Sequence, residues 1–358
     1  MEIPKTEGIK YAGSKLKLLP YIFEMVTDLR DVDTVLDGFS GSTRVSQAFA
    51  QKGYSTTAND IAVWSEVFAT CYLISSQSNT YYQQLIYYLN HLKGVEGWFT
   101  GNYGGAETEL KKPFQVKNTM KLDAIRDEID LLHLSWEDKC VILTSLINAL
   151  DKVDSTLGHY AAYLSEWSPR SYNDLKMLLP LRFTLQGKNT VFREDIFNMV
   201  SNHRFDLAYL DPPYGSNNEK MPPSRVRYAS YYHLWTTIIQ HDKPCLFGKA
   251  NRREDSRDEL SASVFEEFRK SETGDFFAMK ALRRLIEETK AHYLLLSYSS
   301  GGRATKQQLL DILSSAGKLL SVKLIDYKKN VMSSMRTTKE WINSEDVHRE
   351  YLFLMEKI

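Results

Sequence analysis

The sequence predicts an α/β protein built on a mainly parallel sheet, and two patterns carry that prediction. Short apolar runs rich in β-formers recur along the chain, and several are followed by a stretch with apolar residues at helical spacing. Most of these runs end in an acidic residue, which sets carboxylates along the strand ends where open parallel sheets bind ligands.

The first run, residues 34–36, ends at Asp37 and leads into a helical pattern over about 43–51. A second, 55–58, closes on Asn59 and Asp60; a third, 190–192, precedes Glu194 and Asp195. Residues 205–210 precede Asp211, and 292–297 precede the glycine pair Gly301 and Gly302. Two later runs, 319–325 and 351–355, read as a closing antiparallel strand pair, with polar residues and no regular helical crossover between them. Two longer segments interrupt the rhythm. Residues 64–188 are mostly helical in pattern, and 215–290 open on a loop rich in Asn, Pro and Ser. The expected organisation is a discontinuous catalytic domain, 1–63 and 189–358. A mainly helical insertion, 64–188, would interrupt it, and a second insertion, 215–290, would lie within it; insertions on a rigid scaffold are where substrate specificity is usually built.

At 358 residues, with 43% hydrophobic and 25% charged residues, the composition is that of a globular chain. Forty-five basic residues balance forty-five acidic ones, which excludes a protein that holds nucleic acid by overall charge, so any such contact is local. The cysteines Cys71, Cys140 and Cys245 are odd in number and far apart, which fits a reducing compartment, and a cytoplasmic location is expected. No stretch reads as a secretory leader or as a membrane span. The eight histidines include no helical pair at ligand spacing, and no metal site is expected.

Asp211-Pro212-Pro213-Tyr214, directly after an apolar strand, is the sharpest chemical signal. Two prolines hold the chain extended where it leaves the sheet, fixing a carboxylate, a carbonyl and an aromatic ring together. Such a set suits the exocyclic amine of a nucleic-acid base, whose lone pair is delocalised into the ring. Hydrogen bonds from the amine to Asp211 and to the Pro212 carbonyl draw the nitrogen towards tetrahedral geometry, and Tyr214 stacks on the base. A base inside a duplex must be flipped out to reach such a pocket.

Asp37-Gly38-Phe39-Ser40-Gly41-Ser42 joins the first strand to its helix, with glycines that allow close backbone approach to a ligand. Asp60 ends the next strand at the spacing that places an acid on a ribose hydroxyl. Asp195 can accept from an adenine amine, with Ile196 or Phe197 packing on the ring. Near the start, Lys10-Tyr11-Ala12-Gly13-Ser14-Lys15 precedes apolar residues at helical spacing, and Lys15 can reach a carboxylate.

Taken together, these residues resemble the D12-class, Dam-like, adenine-specific DNA methyltransferases. In that family a Lys-aromatic-x-Gly-x-Lys element precedes the cofactor loop, an insertion for target recognition follows, and Asp-Pro-Pro-Tyr comes late. The match covers roughly residues 8–61, 190–235 and 292–357. The resemblance implies a Rossmann-like sheet with helices on both faces and S-adenosyl-L-methionine as cofactor. It places Lys10, Tyr11, Gly13 and Lys15 against the methionyl end, Asp37, Phe39 and Gly41 in the main cofactor loop, Asp60 on the ribose and Asp195 on the cofactor adenine. Asp211 to Tyr214 would then take the target base. It departs from the family loop at Gly38 and Thr43, where a proline or apolar residue and a further glycine usually stand. Double-stranded DNA is the implied partner, and a cognate restriction endonuclease is one that the resemblance admits. The stretch from Tyr228 to Trp235 resembles the family's aromatic segment near the flipped base, and its rings fit a core equally well.

A cytosine-N4 enzyme would use the same geometry but more often has serine in place of Asp211, so adenine is preferred. Enzymes acting on carbon 5 of cytosine need a cysteine nucleophile, and Pro244-Cys245 does not end a strand. An RNA-base methyltransferase shares Asp-Pro-Pro-Tyr, and a silent nucleic-acid-binding fold is the remaining alternative. Expected DNA contacts are Lys111, Lys112 and Lys117 in the first insertion, then Arg225, Arg227, Lys249, Arg252 and Arg253.

Overall fold

The structure, a computed structural model, describes residues 2–106, 108, 112–215, 227–327 and 348–357. Lys111 and Arg225 lie outside the described residues. Strands follow in the order β1 (Thr34–Asp37), β2 (Ser55–Asn59), β3 (Gly104–Gly105), β4 (Phe114–Gln115), β5 (Thr190–Phe192), β6 (Phe205–Leu210), β7 (Leu246–Phe247), β8 (Arg252–Arg253), β9 (Ala291–Ser299), β10 (Gly317–Tyr327) and β11 (His348–Lys357). Helices are α1 (Leu19–Val26), α2 (Arg44–Gln51), α3 (Val63–Ala69), α4 (Asn79–His91), α5 (Trp98–Tyr103), α6 (Val116–Leu131), α7 (Trp136–Leu150), α8 (Ile196–Asn202), α9 (Tyr228–Tyr231), α10 (His233–Gln240), α11 (Asp258–Ser261), α12 (Phe277–Glu288) and α13 (Lys306–Ala316). The chain divides into two units: Met1–Lys17, Ser40–Arg193 and Arg227–Ser261 form the first, and Leu18–Phe39, Glu194–Val226 and Ala262–Ile358 the second.

The second unit carries β10-β11-β9-β6-β1 in that order. β1 and β6 run parallel, as do β6 and β9, while β11 is antiparallel to both β9 and β10. The mainly parallel sheet and the closing antiparallel strands thus match the sequence expectation. β6 and the middle of β9 are buried almost without interruption, which is why both read as continuous apolar runs and not as alternating ones. Asp206 ties the start of β6 to β1, its Oδ2 accepting from Thr34 N–H at 2.8 Å and Thr34 Oγ1 at 2.8 Å. In α12, Ala278, Met279, Leu282, Leu285 and Ile286 bury one helical stripe. α13 starts on a capping box in which Thr305 and Gln308 satisfy each other's backbone N–H groups. Asp37 ends β1, and Asp211 and the loop holding Gly301 and Gly302 follow β6 and β9.

The first unit holds the parallel pair β2 and β5 and most of the helices. Its core gathers Trp64, Phe68, Phe99, Leu146, Tyr232 and Trp235, so the helical segment after β2 and the aromatic segment of α9 and α10 share one interior. α7 is buried on nearly all sides from Cys140 to Leu150. Helices end there: residues 151–189 are irregular apart from a single 3-10 turn, Pro169–Tyr172. Gly158, Pro169, Pro180 and Gly187 interrupt what reads as a helical pattern.

Candidate active site

In the second unit, β6 delivers Asp211 and the rigid Pro212-Pro213 pair, and the next residue turns back on the first. Tyr214 Oη stands 2.5 Å from Asp211 Oδ1 and 2.6 Å from Glu350 Oε1, on β11. Ser297 Oγ, on β9, donates to the same Glu350 oxygen at 3.0 Å. The Tyr214 carbonyl accepts from Arg303 N–H at 2.8 Å and Tyr298 Oη at 3.2 Å, so the loop is held at side chain and backbone. Burial, and then the Asp211 and Glu350 charges, push the Tyr214 phenol well above its ordinary range, and it keeps its proton.

Asp37, at the end of β1, is buried. A β-carbon on Gly38 would meet Leu210 at 2.7 Å and Ile196 at 2.9 Å, so packing against β6 and α8 accounts for glycine there. Phe39 packs edge-on against Phe265 (5.5 Å between centroids), on whose ring Phe197 also stacks (5.7 Å). Phe265 comes from a 3-10 turn, Val264–Glu266, with its own Ser263 capping box. Asp195 is the N-cap of α8, its Oδ1 accepting from Phe197 N–H at 2.9 Å.

In the first unit, Gly41 has φ +47° and donates its N–H to Asp60 Oδ2 at 2.9 Å, while Ala62 N–H donates to Oδ1 at 2.9 Å. Burial raises the Asp60 carboxyl above its ordinary range, against the pull of these backbone bonds. The Ile61 N–H also bonds this carboxylate, so with about four lone-pair sites it retains acceptor capacity for a ligand hydroxyl. Thr43, where the family loop has glycine, adopts the left-handed conformation itself (φ +62°). Its hydroxyl accepts from Gln47 Nε2 at 3.0 Å. The loop thus keeps a glycine-like backbone with a side chain that α2 holds in place.

Tyr11 stacks on Tyr232 (5.0 Å) and Tyr228 (5.5 Å) and tilts against Trp64 (5.4 Å). A β-carbon on Gly41 would stand 3.0 Å from Tyr11 Oη, and one on Gly13 (φ +84°) 3.0 Å from Tyr228 Oη. The structure therefore brings Tyr11, Gly13 and Gly41 together, with Gly41 bonded to Asp60. Lys10 turns to Asp154 (2.8 Å) and Asp151 (3.5 Å), and Lys15 is buried. Tyr232 and Trp235, stacked at 4.3 Å and fully buried, are core residues.

The cations expected to meet DNA differ in what they already hold. Lys112 donates to Asn102 O at 3.0 Å, Lys117 pairs with Asp174 at 2.6 Å, and Arg227 is buried at the start of α9. Arg252 binds Ser230 and Ser256 and pairs with Asp258. Arg253 has all five N–H donors taken, by Asp242, Asp255 and Thr237, and is buried, so the geometry gives it a structural task. Lys249, by contrast, is exposed at the β7–β8 turn, which Tyr103 and Tyr163 anchor through the carbonyls of Asn251 and Ala250.

The sequence did not single out Glu350, Ser297, Tyr298, Arg303 or Phe265. For Glu350 a signal existed: an acid at the edge of an apolar strand run is rarely buried without a partner. Among the described residues, no group of three or more His, Cys, Asp or Glu is placed to hold a metal ion, and no helix is long and apolar enough to cross a membrane.

A parallel α/β sheet with Asp-Pro-Pro-Tyr at the end of a central strand defines a class, and comparison gives it a name. Residues 11–293 match the D12 class N6 adenine-specific DNA methyltransferase family, and the chain belongs to it. Among curated proteins, it is 29% identical to the modification methylase StsI of Streptococcus sanguinis, over 93% of this chain and 50% of that protein. It is 26% identical to the type II methyltransferase M.FokI of Planomicrobium okeanokoites, over 98% of this chain and 53% of that one. With the type II methyltransferase M.NlaIII of Neisseria lactamica it shares 26% identity, over 98% and 99%. The chain thus spans about half the length of the first two relatives and nearly all of the third.

Proposed function

We propose that the protein transfers a methyl group from S-adenosyl-L-methionine to the N6 amine of adenine in a specific DNA sequence, with the target base flipped from the duplex. The observation that carries this reading is Asp211 and the Pro212 carbonyl, held by a rigid double proline at the end of β6 in a chain of this family. Asp211 accepts one N–H of the amine and Pro212 the other, turning the nitrogen lone pair outward, while Tyr214 packs on the base. The cofactor supplies an electrophilic methyl group. In the first unit Tyr11, Gly13, Lys15, Gly41 and Asp60 are proposed to hold it, and Lys10 serves through its ion pairs; in the second, Asp37, Phe39 and Asp195.

The fit is supported by Gly41, whose left-handed backbone leaves a cradle beside Tyr11 that a side chain would fill, and by Asp60, whose carboxylate keeps acceptor capacity for a ribose hydroxyl. Residues 64–188 are proposed as the target-recognition lobe, with Lys112 and Lys249 as phosphate contacts. A cytoplasmic setting and a cognate restriction endonuclease belong to the same reading, since the relatives are named modification methylases and type II methyltransferases.

The test is transfer of label from radiolabelled S-adenosyl-L-methionine to unmethylated genomic DNA, followed by nucleoside analysis. Label in N6-methyladenine is expected, and Asp211→Ala should abolish it while cofactor binding persists. Label in N4-methylcytosine would change the base, and label in RNA alone would overturn the DNA reading.

A further inference from the structure

A phenol carries one proton, yet Tyr214 Oη stands within hydrogen-bond distance of two carboxylates, 2.5 Å from Asp211 Oδ1 and 2.6 Å from Glu350 Oε1. Hydrogen bonds donated to carboxylates are among the stronger ones in proteins. The carboxylate proposed to receive the base amine therefore already accepts from the neighbouring tyrosine at Oδ1, which draws on its charge. For Asp211 to accept from an amine with full strength, the phenol proton has to turn elsewhere. Glu350 is the acceptor already in position, buried on β11, with the Ser297 hydroxyl donating to the same Oε1 that faces Tyr214. The Tyr214 backbone does not have to move for this exchange, since Arg303 N–H and Tyr298 Oη hold its carbonyl independently of the ring's hydroxyl.

We infer that Glu350 is a positioning residue for the candidate active site: it takes the Tyr214 hydroxyl when the target amine takes Asp211, so that the hand-over leaves no buried hydroxyl unsatisfied. The inference rests on the reading of Asp211 as the amine acceptor. Without Glu350, the Tyr214 hydroxyl loses the carboxylate that competes with Asp211 for its proton and stays on Asp211, competing with the substrate. With it, the tyrosine is a two-position donor that stabilises Asp211 before the base arrives and releases it afterwards. Position 350 therefore requires an acceptor oxygen more than a charge.

The experiment compares Glu350→Ala, Glu350→Gln, Tyr214→Phe and the double variant Glu350→Ala/Tyr214→Phe in the full chain, measuring kcat and KM for DNA alongside thermal unfolding. Glu350→Ala should lower kcat/KM at least about tenfold, the scale of one lost buried hydrogen bond. Glu350→Gln, which keeps an acceptor oxygen, should recover most of that loss. Adding Tyr214→Phe to Glu350→Ala should also recover it, because the competing hydroxyl is gone; a merely structural glutamate would not be rescued by removing its neighbour's oxygen. A double variant as slow as Glu350→Ala, or a Glu350→Ala protein with unchanged kinetics, overturns the inference. Should Glu350→Ala not fold, Tyr214→Phe decides: it should lower KM for DNA, and an unchanged or raised KM overturns the inference. An Asp211→Ala protein that still methylates DNA would instead remove the reading on which it rests.

Discussion

Gly302 lies against Tyr298 so closely that a β-carbon on it would stand 2.5 Å from Tyr298 Cε1, and 3.0 Å from Tyr214 Cβ. Both tyrosines belong to the set that fixes the Asp211 loop, Tyr298 by its hydroxyl and Tyr214 by its carbonyl and ring. Gly302→Ala must therefore displace one ring or the loop. The expected cost is about 1–3 kcal/mol of stability, as for overpacking elsewhere, with a fall in methyl transfer that exceeds any loss of cofactor binding. Thermal unfolding and turnover measured on one preparation check this; an alanine accepted without change in either would mean the loop yields freely.

Gly41 offers the corresponding test in the first unit. Its φ of +47° costs an alanine roughly 1–2 kcal/mol, and the new methyl would press on Tyr11. Gly53 is the control, since its φ is +94° but nothing stands within 4 Å of its would-be β-carbon. Both alanine variants should lose stability, whereas calorimetry should find weaker binding of S-adenosyl-L-methionine only in Gly41→Ala. Equal affinities in the two variants would separate Gly41 from the cofactor.

Asp151 gives a pH dependence of known sign. Burial, with a further push from Asp154, raises its carboxyl to about 6 from 3.8, despite the opposing pull of Lys10. The folded protein therefore binds this proton more tightly than the unfolded chain. The resulting stabilisation is fully present below about pH 4 and is lost as pH rises through about 6. The range from 3.8 to about 6 corresponds to roughly 3 kcal/mol. Asp151→Asn, which cannot titrate, should gain on the parent protein by up to about that amount between pH 4 and pH 7 in urea denaturation. A difference between the two proteins that does not vary with pH would contradict the assignment.

Lys249 and Arg253 stand four residues apart and are expected to respond oppositely. Arg253→Ala leaves Asp242 and Asp255 without their shared partner; because both acids are partly exposed, a loss of about 2–3 kcal/mol is expected, below the full range for a buried pair. Lys249→Ala should leave the unfolding temperature unchanged and reduce the slope of log affinity for DNA against log salt by about 0.9, one phosphate contact. Fluorescence anisotropy over a salt series reads the second effect directly.

The strand ends were legible because burial and chemistry coincide there. β5 and β6 begin and end at the residues the apolar runs mark, and Asp211 follows at once. β9 and β10 extend beyond their apolar runs, because an antiparallel pairing partner recruits flanking polar residues that carry no pattern of their own. Thr43 hid its left-handed backbone, since a β-branched residue gives no hint of a conformation it seldom adopts. For Glu350 the sequence carried a hint of burial but not the partner: Tyr214 lies 136 positions away, and only the sheet order brings them side by side. Arg253 reads as a free cation until its fork is seen filled from two sides.

The position of β11 between β9 and β10 has a consequence for how the protein is made. A growing chain that has delivered residues as far as 327 holds two long strands whose common neighbour has not yet been synthesised. Each presents an unpaired edge, the kind of surface that recruits strands from other chains. The same late strand carries Glu350, so closing the sheet and completing the carboxylate pair around Tyr214 are a single event. Until β11 enters, the nascent protein exposes two strand edges and is without the second carboxylate around Tyr214.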